Sequence, residues 1–253
     1  MAGILFIGDS RCVGLSSGSA STKNEKGECV ARAPAMNVES KKGGKSTAKG
    51  CNGTDSKGDN WFCMQNKTLE WVKENQVSID SLAKNSDVVI FTMGGNDVGR
   101  YNDYIDYFHK LKDHPFYKGK QIFFVGIPPR RKDKITANNA AKRFNEKLKN
   151  GLPEGVTFID LDPCFKKHKL ENHFAGDGIH FDQTANKIMY EYVNEQIENS
   201  TKIALKEQRK EMDDADIVIE TDGYCIEKSK PNSEQPVEED EKGTFVSPFI
   251  IIM

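Results

Sequence analysis

The chain has 253 residues, 37% of them apolar and 29% charged, and its 36 basic and 38 acidic side chains leave a formal charge of −2. That length suits one large domain or a medium domain with an appendage. A mean hydropathy of −0.63, with no apolar run near the ~18 residues of a spanning helix, excludes fibrous, collagenous and helical membrane classes.

In chain order, Met1-Ala2-Gly3 leads into the apolar run Ile4–Ile7 without a basic leader region. The expectation is a cytoplasmic protein if this is the whole native chain, and an extracytoplasmic one if a leader has been removed. Residues 4–7, 87–93, 121–127 and 156–161 are short runs rich in Ile, Val and Phe. Continuous apolarity predicts strands covered on both faces, as in a parallel sheet. Helical spacing is read at 66–84, 102–113, 136–150 and 182–198, the last behind Asp182 as N-cap. Strands alternating with helices predict an α/β sandwich whose loops after residues 7, 93, 127 and 161 share one rim beyond the strands' carboxyl ends.

Two stretches fall outside that alternation. Residues 17–60 are polar and read as a long insertion with one strand near 30–38. Its segment 23–58 carries 8 basic and 4 acidic residues, among them Lys41, Lys42, Lys45 and Lys49, so it is either attractive to an anionic substrate or a solvated loop. Past residue 200 a charged helix runs to about Met212. A hairpin over 217–226, an acidic linker over 236–241 and an apolar end over 249–253 follow. The expected organisation is therefore a domain over 1–200 and an extension over 201–253. Residues 201–253 hold 7 basic and 13 acidic side chains against 29 and 25 before them, too little basic excess in either part for a nucleic-acid partner.

Cys12, Cys29, Cys51, Cys63, Cys164 and Cys225 form no CxxC pair, which speaks against structural zinc. Three of them lie within 29–63, where a disulfide would brace the insertion in an oxidising compartment; ordinary thiols are the alternative. No cofactor or metal site is expected.

Three short motifs carry chemistry. Gly8-Asp9-Ser10 follows the first strand and presents a hydroxyl with backbone amides around it. Gly94-Gly95-Asn96-Asp97 follows the strand at 87–93, with glycines for close backbone approach and an Asn amide as donor. Asp177-Gly178-Ile179-His180 lets one short loop hold a carboxylate on an imidazole. A hydroxyl is a poor nucleophile near neutrality unless a base lies within hydrogen-bond reach and a third group orients that base. Each motif alone also reads as a turn. Two competitors are weaker: Gly14-Leu15-Ser16-Ser17-Gly18 lies beyond the strand-to-helix corner that a GxSxG elbow needs, and Gly44-Lys45-Ser46 lacks the first glycine of a phosphate loop.

In that order and on those elements, the three motifs resemble the first, third and fifth blocks of the SGNH/GDSL hydrolases. The start Gly8-Asp9-Ser10-Arg11-Cys12-Val13-Gly14 is similar to a bacterial subgroup beginning GDSR-x-VG. The resemblance covers about residues 3–200. It implies a flavodoxin-like three-layer sandwich with a mainly parallel five-stranded sheet and a serine esterase mechanism. Ser10 is then the nucleophile, His180 the base and Asp177 its orienting carboxylate. The oxyanion falls to the Ser10 amide, a block-two glycine amide and the Asn96 side chain. Gly58, before Trp61-Phe62, is the favoured glycine, with Gly44, Gly50 and Gly53 left open.

The expected activity is hydrolysis of small acyl esters, chiefly acetyl, on carbohydrate or cell-envelope glycans. The polar insertion motivates this, with Trp61, Phe62 and Trp71 as a sugar-stacking wall or as core. Arg130, Arg131 and Lys132 add positive charge on another rim loop. The alternatives are a lysophospholipase- or thioesterase-like lipid hydrolase and a non-catalytic binding module.

Overall fold

The computed structural model describes residues 3–19, 35–38 and 48–215. The chain divides into two compact units, 1–205 and 206–253; of the second, only the helical residues 206–215 are described. The expected hairpin at 217–226, the acidic linker, the apolar end, Gly44, Lys41, Lys42, Lys45, Cys29 and Cys225 all lie outside the described residues.

The first unit is built on a sheet of seven strands: β1 Ile4–Gly8, β2 Ala35–Val38, β3 Ala48–Thr54, β4 Asn60–Met64, β5 Val88–Thr92, β6 Gln121–Val125 and β7 Val156–Ile159. Their spatial order is β2-β3-β4-β1-β5-β6-β7. The five neighbours from β4 to β7 run parallel, while β2 and β3 join antiparallel at the β4 edge. The parallel part thus has the expected flavodoxin-like order, and the structure corrects the strand count by adding two. The segment read as an insertion supplies two strands, β2 and β3, and β4, which belongs to the parallel set, begins at its last residue.

Alternation along the strands explains the layers. Leu5, Ile7, Val89, Phe91, Ile122 and Phe124 face one side, where they meet α2 Leu69–Glu74, α3 Gln76–Ala83, α4 Tyr101–Leu111 and α5 Ile135–Gly151. Phe6, Ile90, Phe123 and Val125 face the other, against α1 Ser10–Ser19, α6 Asp162–Lys167 and α7 Gln183–Ala215. β1, β5 and β6 bury both faces, which is why they read as uninterrupted apolar runs.

The helix α1 was not apparent in the sequence, because Ser and Gly fill it. Packing accounts for it: a Cβ on Gly18 would lie 2.3 Å from the Asn186 carbonyl oxygen of α7, and one on Gly14 2.7 Å from the Asn186 side chain. Close approach of two helices overrides low intrinsic propensity. A disulfide joins Cys12 of α1 to Cys63 of β4, so the bond ties helix to sheet and does not close within 29–63. Trp61 is fully buried, stacked on Phe6 and donating its indole N–H to Asp55 Oδ2 at 2.9 Å. Phe62, also buried, stacks on Trp71. Trp61 and Phe62 are therefore core residues, the partly buried Trp71 packs on Phe62, and none of the three lines a cavity beside Ser10. Among the described residues no helix is long and apolar enough to cross a membrane.

Candidate active site

In the parallel set the chain order reverses between β1 and β5, and ligands of doubly wound sheets sit beyond the strand ends at such a switch point. Gly8 pairs with Thr92 on one side and with Cys63 on the other. The loops leaving β1, β5 and β4 therefore start side by side: Asp9-Ser10, Gly94-Gly95-Asn96 and Gln65-Asn66.

Ser10 is the first residue of α1, so its amide is one of the donors that a helix start leaves unpaired. The preceding turn is fixed by the Asp9 amide, which donates to the Thr92 carbonyl at 3.2 Å. Asp9 Oδ1 in turn accepts the Arg11 amide at 2.9 Å. On the β5 side, Gly94 has φ +104°, and a Cβ there would lie 2.5 Å from the Phe144 ring, so only glycine passes. Asp97 fastens this loop, accepting from the Leu69 amide at 3.0 Å and the Tyr104 hydroxyl at 2.8 Å. Burial first, and then the Asp97 charge, raise the Tyr104 pKa, keeping that hydroxyl a donor.

Asp177 and His180 ride on a small hairpin between α6 and α7. Phe174 and Phe181 form its isolated bridge and stack at 4.9 Å. Two backbone bonds close it, Ala175 N–H to His180 O and Asp182 N–H to His173 O. At its foot His173 Nδ1 lies 2.9 Å from Asp182 Oδ2, while Asp182 Oδ1 caps α7 by accepting the Ala185 amide.

At the hairpin's tip the residues meet. His180 Nε2 is 2.9 Å from Ser10 Oγ, and His180 Nδ1 is 2.5 Å from Asp177 Oδ2. Asp177 Oδ1 accepts the amides of Ile179 and His180, each at 2.9 Å. Partial burial would raise the Asp177 pKa, but the His180 ring and these two amides outweigh it and hold the carboxyl well below the usual range. A carboxylate that stays ionised fixes Nδ1 as the protonated nitrogen and leaves Nε2 free to accept the serine proton.

Asn96 is exposed and lines the same polar cleft as Ser10, Asn66 and His180. Its Nδ2 donates to the Lys67 carbonyl at 2.9 Å, tying the β5 loop to the β4 loop. Gly58 is not brought to this place. It lies in the turn before β4, at the opposite end of the strands, with φ +87° and its amide donating to the Asp55 carbonyl at 3.1 Å. Gly50 and Gly53 lie within β3 and line neither cavity beside Ser10. The residue that leaves β4 next to Ser10 is Asn66, whose φ of 60° is the left-handed conformation usually given to glycine. Asn tolerates that region better than most side chains, and the end of β4 is the signal that would have located it.

Two cavities flank the Ser10–His180 pair. One, of about 210 Å³, sets Val13, Leu15, Leu161 and Met189 beside Arg11, Gln65 and Asn186. The other, of about 190 Å³, is polar, with Asp9, Arg11, Asn66, Gly95, Asn96 and Arg130. Ser16, the centre of the GxSxG sequence, is buried inside α1. Among the described residues no group of three or more His, Cys, Asp or Glu side chains could hold a metal ion.

A doubly wound α/β sandwich carrying a Ser–His–Asp hydrogen-bond chain at its switch point defines the class of architecture. Solved structures share the fold. The C-terminal catalytic domain of Streptococcus pneumoniae peptidoglycan O-acetyltransferase A, solved with a methylsulfonyl adduct, aligns with a TM-score of 0.53 and 15% identity over 79% of this chain and 95% of that one. The lipase Lip_vut3 from a goat rumen metagenome aligns with a TM-score of 0.50 and 14% identity over 77% of this chain and 96% of that one. No family model matches the sequence, and no curated protein does. The likeness is one of fold.

Proposed function

We propose that this chain is a serine ester hydrolase of the SGNH type that removes short acyl groups, acetyl foremost, from carbohydrate or cell-envelope glycans. The observation that carries the reading is the contact of Ser10 Oγ with His180 Nε2 at 2.9 Å, backed by Asp177 on Nδ1. Ser10 Oγ bonds to the acyl carbon and passes its proton to His180. His180 then gives that proton to the departing alcohol oxygen as the ester C–O bond breaks. Water repeats the sequence on the acyl-enzyme, releasing the acid and restoring Ser10.

The developing oxyanion is stabilised by the Ser10 amide, the Asn66 amide in place of a glycine, and the second N–H of the Asn96 side chain. Such donors act mainly in the transition state, where charge has moved onto the oxygen. The glycan substrate is supported by the polar cleft and by the peptidoglycan O-acetyltransferase named among structures of the same fold.

The apolar residues of the 210 Å³ cavity favour a second reading, in which longer acyl chains are cleaved. Purified protein should hydrolyse p-nitrophenyl acetate, and Ser10→Ala should lose about 10⁴-fold or more of kcat. No turnover by the wild type, or equal turnover by the variant, defeats the esterase. A p-nitrophenyl ester series decides between the readings: kcat/KM falling beyond acetyl supports the glycan substrate, and kcat/KM rising with chain length replaces it.

A further inference from the structure

The polar cavity is lined by two guanidiniums and one carboxylate. Arg11 and Arg130 both line it beside Ser10. Arg11 Nε contacts Asp9 Oδ1 at 3.3 Å and its Nη1 donates to the Gly126 carbonyl, while Nη2 is buried with no hydrogen-bond partner. Arg130 Nη2 donates to the Gly95 carbonyl at 2.9 Å. The two guanidiniums and Asp9 meet over the bare Cα of Gly95: a Cβ there would lie 3.6 Å from Asp9 Oδ2, 3.7 Å from Arg11 Nε and 3.9 Å from Arg130 Nη2.

Asp9 answers one of these charges. Among the described residues Arg130 has no ion-pair partner, whereas its neighbour Arg131 is paired with Asp133. The other carboxylates of the rim are engaged elsewhere, Asp97 with Tyr104 and Leu69, Asp177 with His180. Burial first, and then the charge of Arg11, lower the Arg130 pKa against the opposing pull of Asp9, as expected of a cation facing another cation across a half-buried cleft that holds one carboxylate between them. An arginine always keeps its proton under ordinary conditions, so the surplus charge persists until an anion meets it.

We infer that this cleft is a subsite for an anionic group, a carboxylate or a phosphate, carried on the alcohol side of the ester. The inference rests on the esterase reading above and deepens it. The cavity lined by Val13, Leu15, Leu161 and Met189 accommodates the acyl group on one side of Ser10, and the cleft that holds Asn96 and Arg130 takes the alcohol on the other. Arg130 offers its remaining N–H donors to the anion, in the fork geometry that suits carboxylate and phosphate oxygens. Arg11 lies deeper, tied to Asp9 and Gly126, and contributes charge.

The test compares three meta-substituted phenyl acetates: 3-acetoxybenzoate, 3-acetoxyphenyl phosphate and the neutral 3-acetoxybenzamide, each corrected for its spontaneous hydrolysis. Wild type should favour at least one anion over the amide by about tenfold or more in kcat/KM, and the better anion names the source. The preference should shrink as salt is raised, collapse toward unity in Arg130→Gln and survive in part in Arg130→Lys. Equal kcat/KM for all three, or a preference untouched by Arg130→Gln, overturns the subsite.

Titration of phenyl phosphate into Ser10→Ala, and into Ser10→Ala with Arg130→Gln, reads the same site without turnover. Binding lost with Arg130 supports the subsite even if no ester is cleaved, an outcome that would defeat only the esterase. Cleavage of the esters with no Arg130-dependent binding or preference defeats only the subsite.

Discussion

The two ends of the parallel sheet both gather aspartates, and they use them in opposite ways. At the carboxyl end Asp177 is half exposed and collects hydrogen bonds from a ring nitrogen and two amides, which hold its pKa down. At the amino end Asp59 is buried beside Asp55, and burial first, then the Asp55 charge, push its pKa up to about 6. Around it the bonds close on themselves: Asp55 takes the Lys57 and Asp59 amides on one oxygen and the Trp61 indole on the other. Gly58 belongs to that closed turn. A polar cluster becomes a site when its groups face a cavity with hydrogen-bonding capacity to spare; the amino-end cluster has spent its capacity on the fold.

The comparison breaks first at Asp177. Asp177→Asn should keep the fold yet lower kcat by about 10⁴-fold, because the wrong imidazole tautomer then faces Ser10. Circular dichroism together with ester hydrolysis checks both halves, and a loss of less than tenfold would remove Asp177 from the mechanism. Asn96→Ala should cost about 10²–10³-fold in kcat with little change in KM, as befits a donor used in the transition state. A change confined to KM would make Asn96 a ground-state binding group.

Asp59→Asn sharpens the other side and should leave kcat unaltered. A carboxyl with a higher pKa folded than unfolded favours the native state in acid and loses that contribution as pH rises from about 4 through about 6. Removing the charge should therefore add stability on the order of 2 kcal/mol above that window and almost none below it. Urea titrations at both ends of the window measure this, and a gain independent of pH would contradict the burial argument.

How far the sequence reveals this molecule depends on which forces leave a local trace. β1, β5 and β6 are covered on both faces and so read as apolar runs, and two motifs at strand ends with a third on the hairpin before α7 led to Ser10, Asn96 and His180 around one crevice, with Asp177 behind His180. β4 is equally buried, yet its five residues stand among polar neighbours, and the missing strand pulled the search for an oxyanion donor to Gly58 when the chain turns beside Ser10 at Asn66. α1 was hidden because its glycines serve contact with Asn186, far along the chain. His173 meets Asp182, nine residues on, only through the hairpin.

The central claim is that Ser10 Oγ is an activated nucleophile, and covalent capture tests it most directly. Incubation with methanesulfonyl fluoride followed by peptide mass spectrometry should find one methylsulfonyl group, on Ser10, and none when His180 is replaced by Ala. Unmodified wild type, or a label on Ser16, Ser17 or any other serine in place of Ser10, would contradict the account.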